Sequence, residues 1–193
     1  MNNPKQEKPK GAGKSSFELI DPNTLLQNIP IKDGSVILDL ACGRGNYSLF
    51  LSEIVGDNGL IYAVDLWEEG IQLLGEQIDQ KNITNILPLI ADATEEIEID
   101  DYSIGICLMA TVLHDFAEMD KTATVLKLIK TLLKPNGFLA VIEFKKIQAP
   151  PGPPVEIRLS EDEVEKMVTG YGFKKIKSVD LGEYNYLMTF RSI

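Results

Sequence analysis

The chain has 193 residues, 44% of them hydrophobic and 25% charged, the composition of one folded domain with a short appendage rather than of a disordered or membrane-embedded chain. Against 29 Asp and Glu stand only 19 Lys and Arg, a net charge of −10; this field repels phosphate backbones and no basic face interrupts it, so nucleic acid is not the expected partner. No apolar run approaches the roughly 18 residues of a membrane span, and MNNPKQEKPKGAGKSS has no apolar signal core, so a cytoplasmic protein without a membrane span is expected.

Residues 1–16, rich in Lys, Gly and Pro and without periodicity, are expected to form a mobile tail, with a single domain over residues 17–193. Asp21-Pro22 reads as an N-cap and first helical residue, followed by Leu25, Leu26 and Ile29 on one helix face. From Val36 onward, strand-length apolar runs alternate with helix-period segments. VILDL is followed by a helix carrying Tyr47, Phe50, Leu51, Ile54 and Val55, and LIYAVD by a helix over Trp67 to Gln80. ILPLIA and SIGICLMA are further strands. A helix lined by Val125, Leu128, Ile129, Leu132 and Leu133 then stops at Lys134-Pro135-Asn136-Gly137, before the strand FLAVIEF. Continuous apolar strands separated by helices require a parallel sheet covered on both faces, an α/β doubly wound fold.

The last third differs. After PPGPP, Ser160 and Glu163 form a capping box for a helix with Val164, Met167, Val168 and Tyr171 on its apolar face, ended by Gly172. FKKIKSVDLG and EYNYLMTFR then lie too close together for a parallel crossover, so they pair as an antiparallel hairpin.

Ligands of such sheets bind beyond the carboxyl ends of the strands. There the first strand delivers Asp39 and the turn LACGRGN, in which Gly43 and Gly45 permit tight turning and close backbone approach. Free amides at the following helix start would favour an anionic group. Asp65 closes the second strand, 20 residues after Gly45, where a carboxylate can accept from a ribose diol; Asp92 follows the third, placed to accept from a purine amine. Ser48 stands where a dinucleotide fingerprint has its third glycine, which weakens NAD. The first turn has no lysine, which removes a nucleoside triphosphate bound in the P-loop manner. S-adenosylmethionine, with an amino acid end, a ribose and an adenine but no phosphate, fits better. Cys42 and Cys107 lack partners at metal-ligand spacing and read as free thiols, and no metal site is expected.

On VILDLACGRG, VDLWEE, IADATEE and LLKPNGFLAVIEF the chain resembles the class I S-adenosylmethionine-dependent methyltransferases, and among them the small enzymes similar to the ubiquinone/menaquinone-biosynthesis group. The resemblance runs from about Phe17 to the C-terminus. It implies a Rossmann-like seven-stranded sheet of order 3-2-1-4-5-7-6 and methyl transfer to a small-molecule acceptor. It also implies that Ala41, Cys42, Gly43 and Gly45 border the methionine end with Asp39 behind them. Asp65 would bind the ribose, Leu66 pack on adenine, and Asp92 with the Ala93 amide read the adenine edge. The family often has Gly where this chain has Ala41.

His114, the only histidine, follows the fourth strand in ATVLHDF. Histidine titrates near neutrality, so it could take a proton from the acceptor; it could equally orient the cofactor or cap a loop, since methyl transfer chiefly needs in-line positioning. The segment from Lys145 to Leu159 is long enough to border an acceptor pocket, and Phe17 is placed to act as a lid. PPGPP follows the fifth strand, not the fourth, and so does not match the proline motif of amino-group nucleic acid methylases. Two other readings stand beside the enzyme: a non-catalytic cofactor-binding scaffold and an NAD-dependent oxidoreductase.

Overall fold

The computed structural model describes residue 11 and residues 13–148 and 150–193. Most of the expected tail lies outside the described residues. Its last residue belongs to the fold: Ser16 is buried, with its hydroxyl 2.9 Å from that of Tyr47.

Seven strands, β1 (Val36–Leu40), β2 (Leu60–Asp65), β3 (Ile86–Ile90), β4 (Ile104–Ala110), β5 (Leu133–Phe144), β6 (Phe173–Asp180) and β7 (Asn185–Ser192), form one sheet in the order β3-β2-β1-β4-β5-β7-β6. Strands β1 to β5 pair in parallel and β7 is antiparallel to both β5 and β6, as the apolar runs and the short β6–β7 connection require. The strand order reverses between β1 and β4, which places the ligand crevice beyond their carboxyl ends.

Alternate strand residues face two separate cores. Ile37, Ile61, Ala63, Ile106, Leu108, Ala140 and Ile142 pack with α1 (Pro22–Asn28), α2 (Asn46–Val55) and α3 (Glu68–Lys81). Leu38, Leu40, Cys107, Met109, Leu139 and Val141 pack on the other face with α4 (Leu113–Glu118), α5 (Thr122–Leu132) and α6 (Glu161–Thr169). Asp21 caps α1 by accepting the Asn23 amide, and Ser160 and Glu163 form both bonds of the capping box of α6.

Several boundaries differ from the sequence reading. Trp67 is the N-cap of α3 rather than its first residue. The short helix α4 is an addition, occupying the loop that carries His114. Leu133 is not the end of α5 but the start of β5, because it pairs with Ile104 across a register shift, and Asn136 takes a left-handed φ of 62° in the turn that was expected to precede the strand. Helix α6 stops at Gly170, where Tyr171 N–H turns back to Val168, so Tyr171 lies beyond the helix; Gly172, with φ 82°, makes the turn into β6.

Candidate active site

The carboxyl ends of β1 and β2 meet around two carboxylates. Asp39 follows Ile37 on the α2 side of β1 and is buried, its Oδ2 accepting the Ser48 hydroxyl at 2.6 Å. Burial pushes its carboxyl up to about 6, the Ser48 bond opposes the rise, and the neighbouring charge of Asp65 adds to it. Asp65 accepts the Gly43 amide through one oxygen and the Trp67 amide through the other, each at 2.7 Å. One side chain thus ties the turn after β1 to the start of α3. Its two oxygens offer about four lone-pair sites, so two of them are left for a ligand.

The turn itself is held in left-handed backbone at Ala41 (φ 59°), Gly43 (61°) and Gly45 (71°). The two glycines serve different ends. A Cβ on Gly43 would meet nothing within 4 Å, so this position opens onto free space. A Cβ on Gly45 would lie 2.5 Å from Leu74 Cδ1, so that glycine lets α3 pack against the turn. Within the turn, the Gly43 amide goes to Asp65 and the Gly45 amide to the Cys42 carbonyl at 2.9 Å. Asp39 beneath the turn also makes it a poor seat for a phosphate, whereas a cationic ligand would be welcome. Burial, then Asp39 and Asp65, push the partly buried Cys42 thiol well up, so it stays protonated.

Leu66 leaves 37% of its surface exposed directly after β2. Asp92 lies just beyond β3, linked to β2 through the bond from Ala91 N–H to the Asp65 carbonyl at 3.1 Å; its Oδ1 accepts the Thr94 amide at 2.8 Å, and Ala93 is buried. Asp39, Ala41, Cys42, Gly43, Gly45, Asp65, Leu66, Asp92 and Ala93 therefore line the carboxyl ends of three adjacent strands.

His114 lies elsewhere, on the α4 side beyond β4. Its ring Nδ1 is 2.8 Å from Glu143 Oε2 and its backbone N–H donates to Glu143 Oε1 at 3.1 Å. Beside it, the Thr111 hydroxyl reaches Ser16 Oγ at 3.4 Å. Thr111 is a β-branched residue at φ 55°, a conformation such residues rarely adopt. Phe17 packs edge-on against Tyr47 with ring centroids 5.1 Å apart and tilted against Phe50 at 5.2 Å, so the N-terminal segment spans the ends of β1 and β4. Between that segment and the glycine turn lies a cleft of about 200 Å³ lined by Gly13, Lys14, Ser15, Glu18, Arg44 and Asn46. A larger hollow of about 380 Å³, around Tyr102, Leu133 and Ile193, lies at the opposite end of the strands, by the starts of β4 and β5, and holds none of these residues.

The loop after β5 is built on Arg158. This buried side chain donates to the carbonyls of Lys145, Ile147, Pro151 and Pro153 at 2.9 to 3.1 Å, and its guanidinium lies 5.6 Å from the Phe144 ring centroid. Sequence reasoning missed Ser16, Ser48, Gly70, Glu143 and Arg158 as parts of this region. Glu143 carried a signal: it is the one acid in the apolar strand FLAVIEF, at its ligand-side end. Gly70 carried none, since its reason is spatial: a Cβ there would meet the Trp67 ring at 2.3 Å and the Gly43 carbonyl at 2.7 Å.

A family profile described as a methyltransferase domain matches residues 31–181. The chain belongs to this methyltransferase-domain family. The methyltransferase domain is 29% identical to the structure of a SAM dependent methyltransferase from Aquifex aeolicus, with a TM-score of 0.85 over 95% of this chain and 96% of that one. Among curated relatives it is 26% identical over 161 residues to the demethylmenaquinone methyltransferase of Lactobacillus johnsonii, covering 83% of this chain and 62% of the relative. It is also 25% identical over 160 residues to the fibrillarin-like rRNA/tRNA 2'-O-methyltransferase of Thermococcus sibiricus, covering 82% and 66%. The chain thus spans less than two thirds of the length of these curated relatives. Among the described residues, no helix is long and apolar enough to cross a membrane.

Proposed function

We propose that this chain transfers a methyl group from S-adenosylmethionine to a small-molecule acceptor. The observation that carries the reading is the carboxylate pair at the ends of β1 and β2, set around a turn whose Cys42, Gly43 and Gly45 amides are already used and whose Gly43 faces open space. Such a seat favours a cation with hydroxyls to donate over a pyrophosphate, which argues for the methyl donor and against NAD. The donor supplies a methyl group on a positively charged sulfur, which leaves as a neutral thioether.

The chain's own part is binding and alignment. Asp65 accepts from the ribose hydroxyls, Leu66 covers the adenine, and Asp92 with the Ala93 amide reads its edge. The backbone of Ala41 to Gly45 borders the amino acid end above Asp39. Phe17, Tyr47 and the loop organised by Arg158 exclude water from the acceptor side, so that the donor methyl and the acceptor atom are held in line.

The similarity to a 2'-O-methyltransferase of RNA raises a second acceptor class. The net charge of −10 argues against it, as does the use of Lys145, Lys146 and Lys175 in ion pairs with Asp180, Glu163 and Glu165. Incubation with methyl-labelled donor and either a fractionated metabolite extract or total RNA tests the reading. Label is expected in small molecules; label in RNA overturns the acceptor class, and donor binding without transfer to either favours the non-catalytic scaffold.

A further inference from the structure

We propose that Glu143 is a positioning residue that holds His114 as a base, and that the acceptor is therefore one whose reacting atom carries a weakly acidic proton, such as a phenol, an enol or an amine. The inference rests on the methyltransferase reading above and extends it to the acceptor.

Leu139, Val141 and Glu143 form one row on the α4–α5–α6 face of β5, and the row ends on a fully buried acid. A buried carboxylate is costly unless its lone pairs are met. Here both oxygens are spent on one residue, the ring and the amide of His114. Tyr186, paired with Glu143 across β5 and β7, gives its hydroxyl to the Leu159 carbonyl at 2.8 Å and does not compete for it. The carboxylate therefore holds the proton of the neutral ring on Nδ1 and leaves the Nε2 lone pair at the other end. Nε2 is 3.7 Å from Oδ2 of the part-exposed Asp115, on the side away from Glu143. Burial lowers the ring's affinity for a proton, but Glu143, Asp115 and Glu118 together outweigh burial, so His114 titrates above its ordinary value.

The arrangement is that of a base with an orienting acid. As the acceptor's electron pair forms its bond to the methyl carbon, the carbon–sulfur bond breaks with its electrons going to sulfur. The acceptor's proton moves to His114 Nε2, and the imidazolium formed is balanced by Glu143. No oxidant or reductant takes part. An acceptor with a free lone pair and no proton, such as a thioether or a pyridine-type nitrogen, gains nothing from the pair.

Because the chain has one histidine, nitrogen NMR of the S-adenosylhomocysteine complex reads His114 without an identified acceptor. The wild type is expected to show the proton on Nδ1 and a titration above the ordinary value. In Glu143→Gln the titration is expected to fall, and in Glu143→Asp to return toward wild type. In transfer assays 4-methylphenol, benzylamine and the already ionised 4-nitrophenol serve as probes. Glu143→Gln is expected to slow transfer to the first two by about a hundredfold or more and to leave 4-nitrophenol within a few-fold. A wild-type ring protonated on Nε2, or equal losses on all probes, overturns the role of Glu143. Failure of every probe while S-adenosylhomocysteine binds overturns the acceptor class alone; failure of S-adenosylhomocysteine to bind overturns the reading beneath it.

Discussion

The carboxylate of Asp65 accepts the Gly43 amide and the Trp67 amide at 2.7 Å each, so one side chain fixes the spacing between the turn after β1 and the helix after β2. In the proposed site its remaining lone pairs would accept from a ribose, so that one side chain would serve the fold and the ligand together. Charge-assisted hydrogen bonds are worth about 1.5 to 3 kcal/mol. Asp65→Ala is therefore expected to weaken S-adenosylhomocysteine binding by roughly tenfold to a hundredfold. Titration calorimetry checks this, and wild-type affinity in the variant would remove Asp65 from the site.

Asp39 makes stability fall as pH rises. Its folded carboxyl holds a proton up to about 6, against 3.8 for the ordinary group. Its contribution is fully present below pH 3.8 and is lost as pH rises through about 6. At about 1.4 kcal/mol per pKa unit the difference approaches about 3 kcal/mol. Asp39→Asn has no such loss, so its stability relative to wild type should increase between these pH values and then level off. Denaturant melts at several pH values measure it, and a constant difference would contradict the assignment.

The two turn glycines should separate stability from binding. Gly45→Ala forces a methyl into Leu74 in left-handed backbone and should cost about 2 to 4 kcal/mol. Gly43→Ala meets no atom and should cost only about 1 to 2 kcal/mol, yet it fills the space in front of the turn and should lose most of its affinity for S-adenosylhomocysteine. Equal effects of the two on binding at matched folded fraction would refute this division.

The capping box of α6 gives a control outside the site. Ser160→Ala should cost about 1 kcal/mol and leave donor binding unchanged. Glu163 is held down to about 2 by the Ser160 amide and Lys146, so its small contribution is present above 4.5, the ordinary value, and fades as pH falls through about 2. Chemical melts of the variant at neutral and acid pH test both statements.

Most of the sheet was legible because β1, β2, β4 and the FLAVIEF part of β5 are nearly continuous apolar runs separated by helix-period segments, and the pairing of β6 with β7 followed from the length of their connection. Helix α4 was not, because six residues from Leu113 to Glu118 are too few to show a helical period. The start of β5 was hidden because Leu133 continues the apolar face of α5 in sequence and leaves it only by pairing with Ile104. At the site, Asp39, Asp65 and Asp92 could be placed because strand ends are where ligands bind. Ser48 read as a missing glycine, whereas in space it is the hydrogen-bond donor that makes a buried Asp39 tolerable. The link between His114 and Glu143 spans 29 residues and two strands, a distance that local pattern does not cross.

The central claim, that the carboxyl ends of β1 to β3 form a seat for S-adenosylmethionine, is tested most directly by thermal-shift titration of the chain with S-adenosylhomocysteine and with NAD. A ligand at a hundred times its dissociation constant adds about 2.7 kcal/mol to stability. A saturable rise in melting temperature with S-adenosylhomocysteine and none with NAD is the predicted result. Stabilisation by NAD without any by S-adenosylhomocysteine would contradict it.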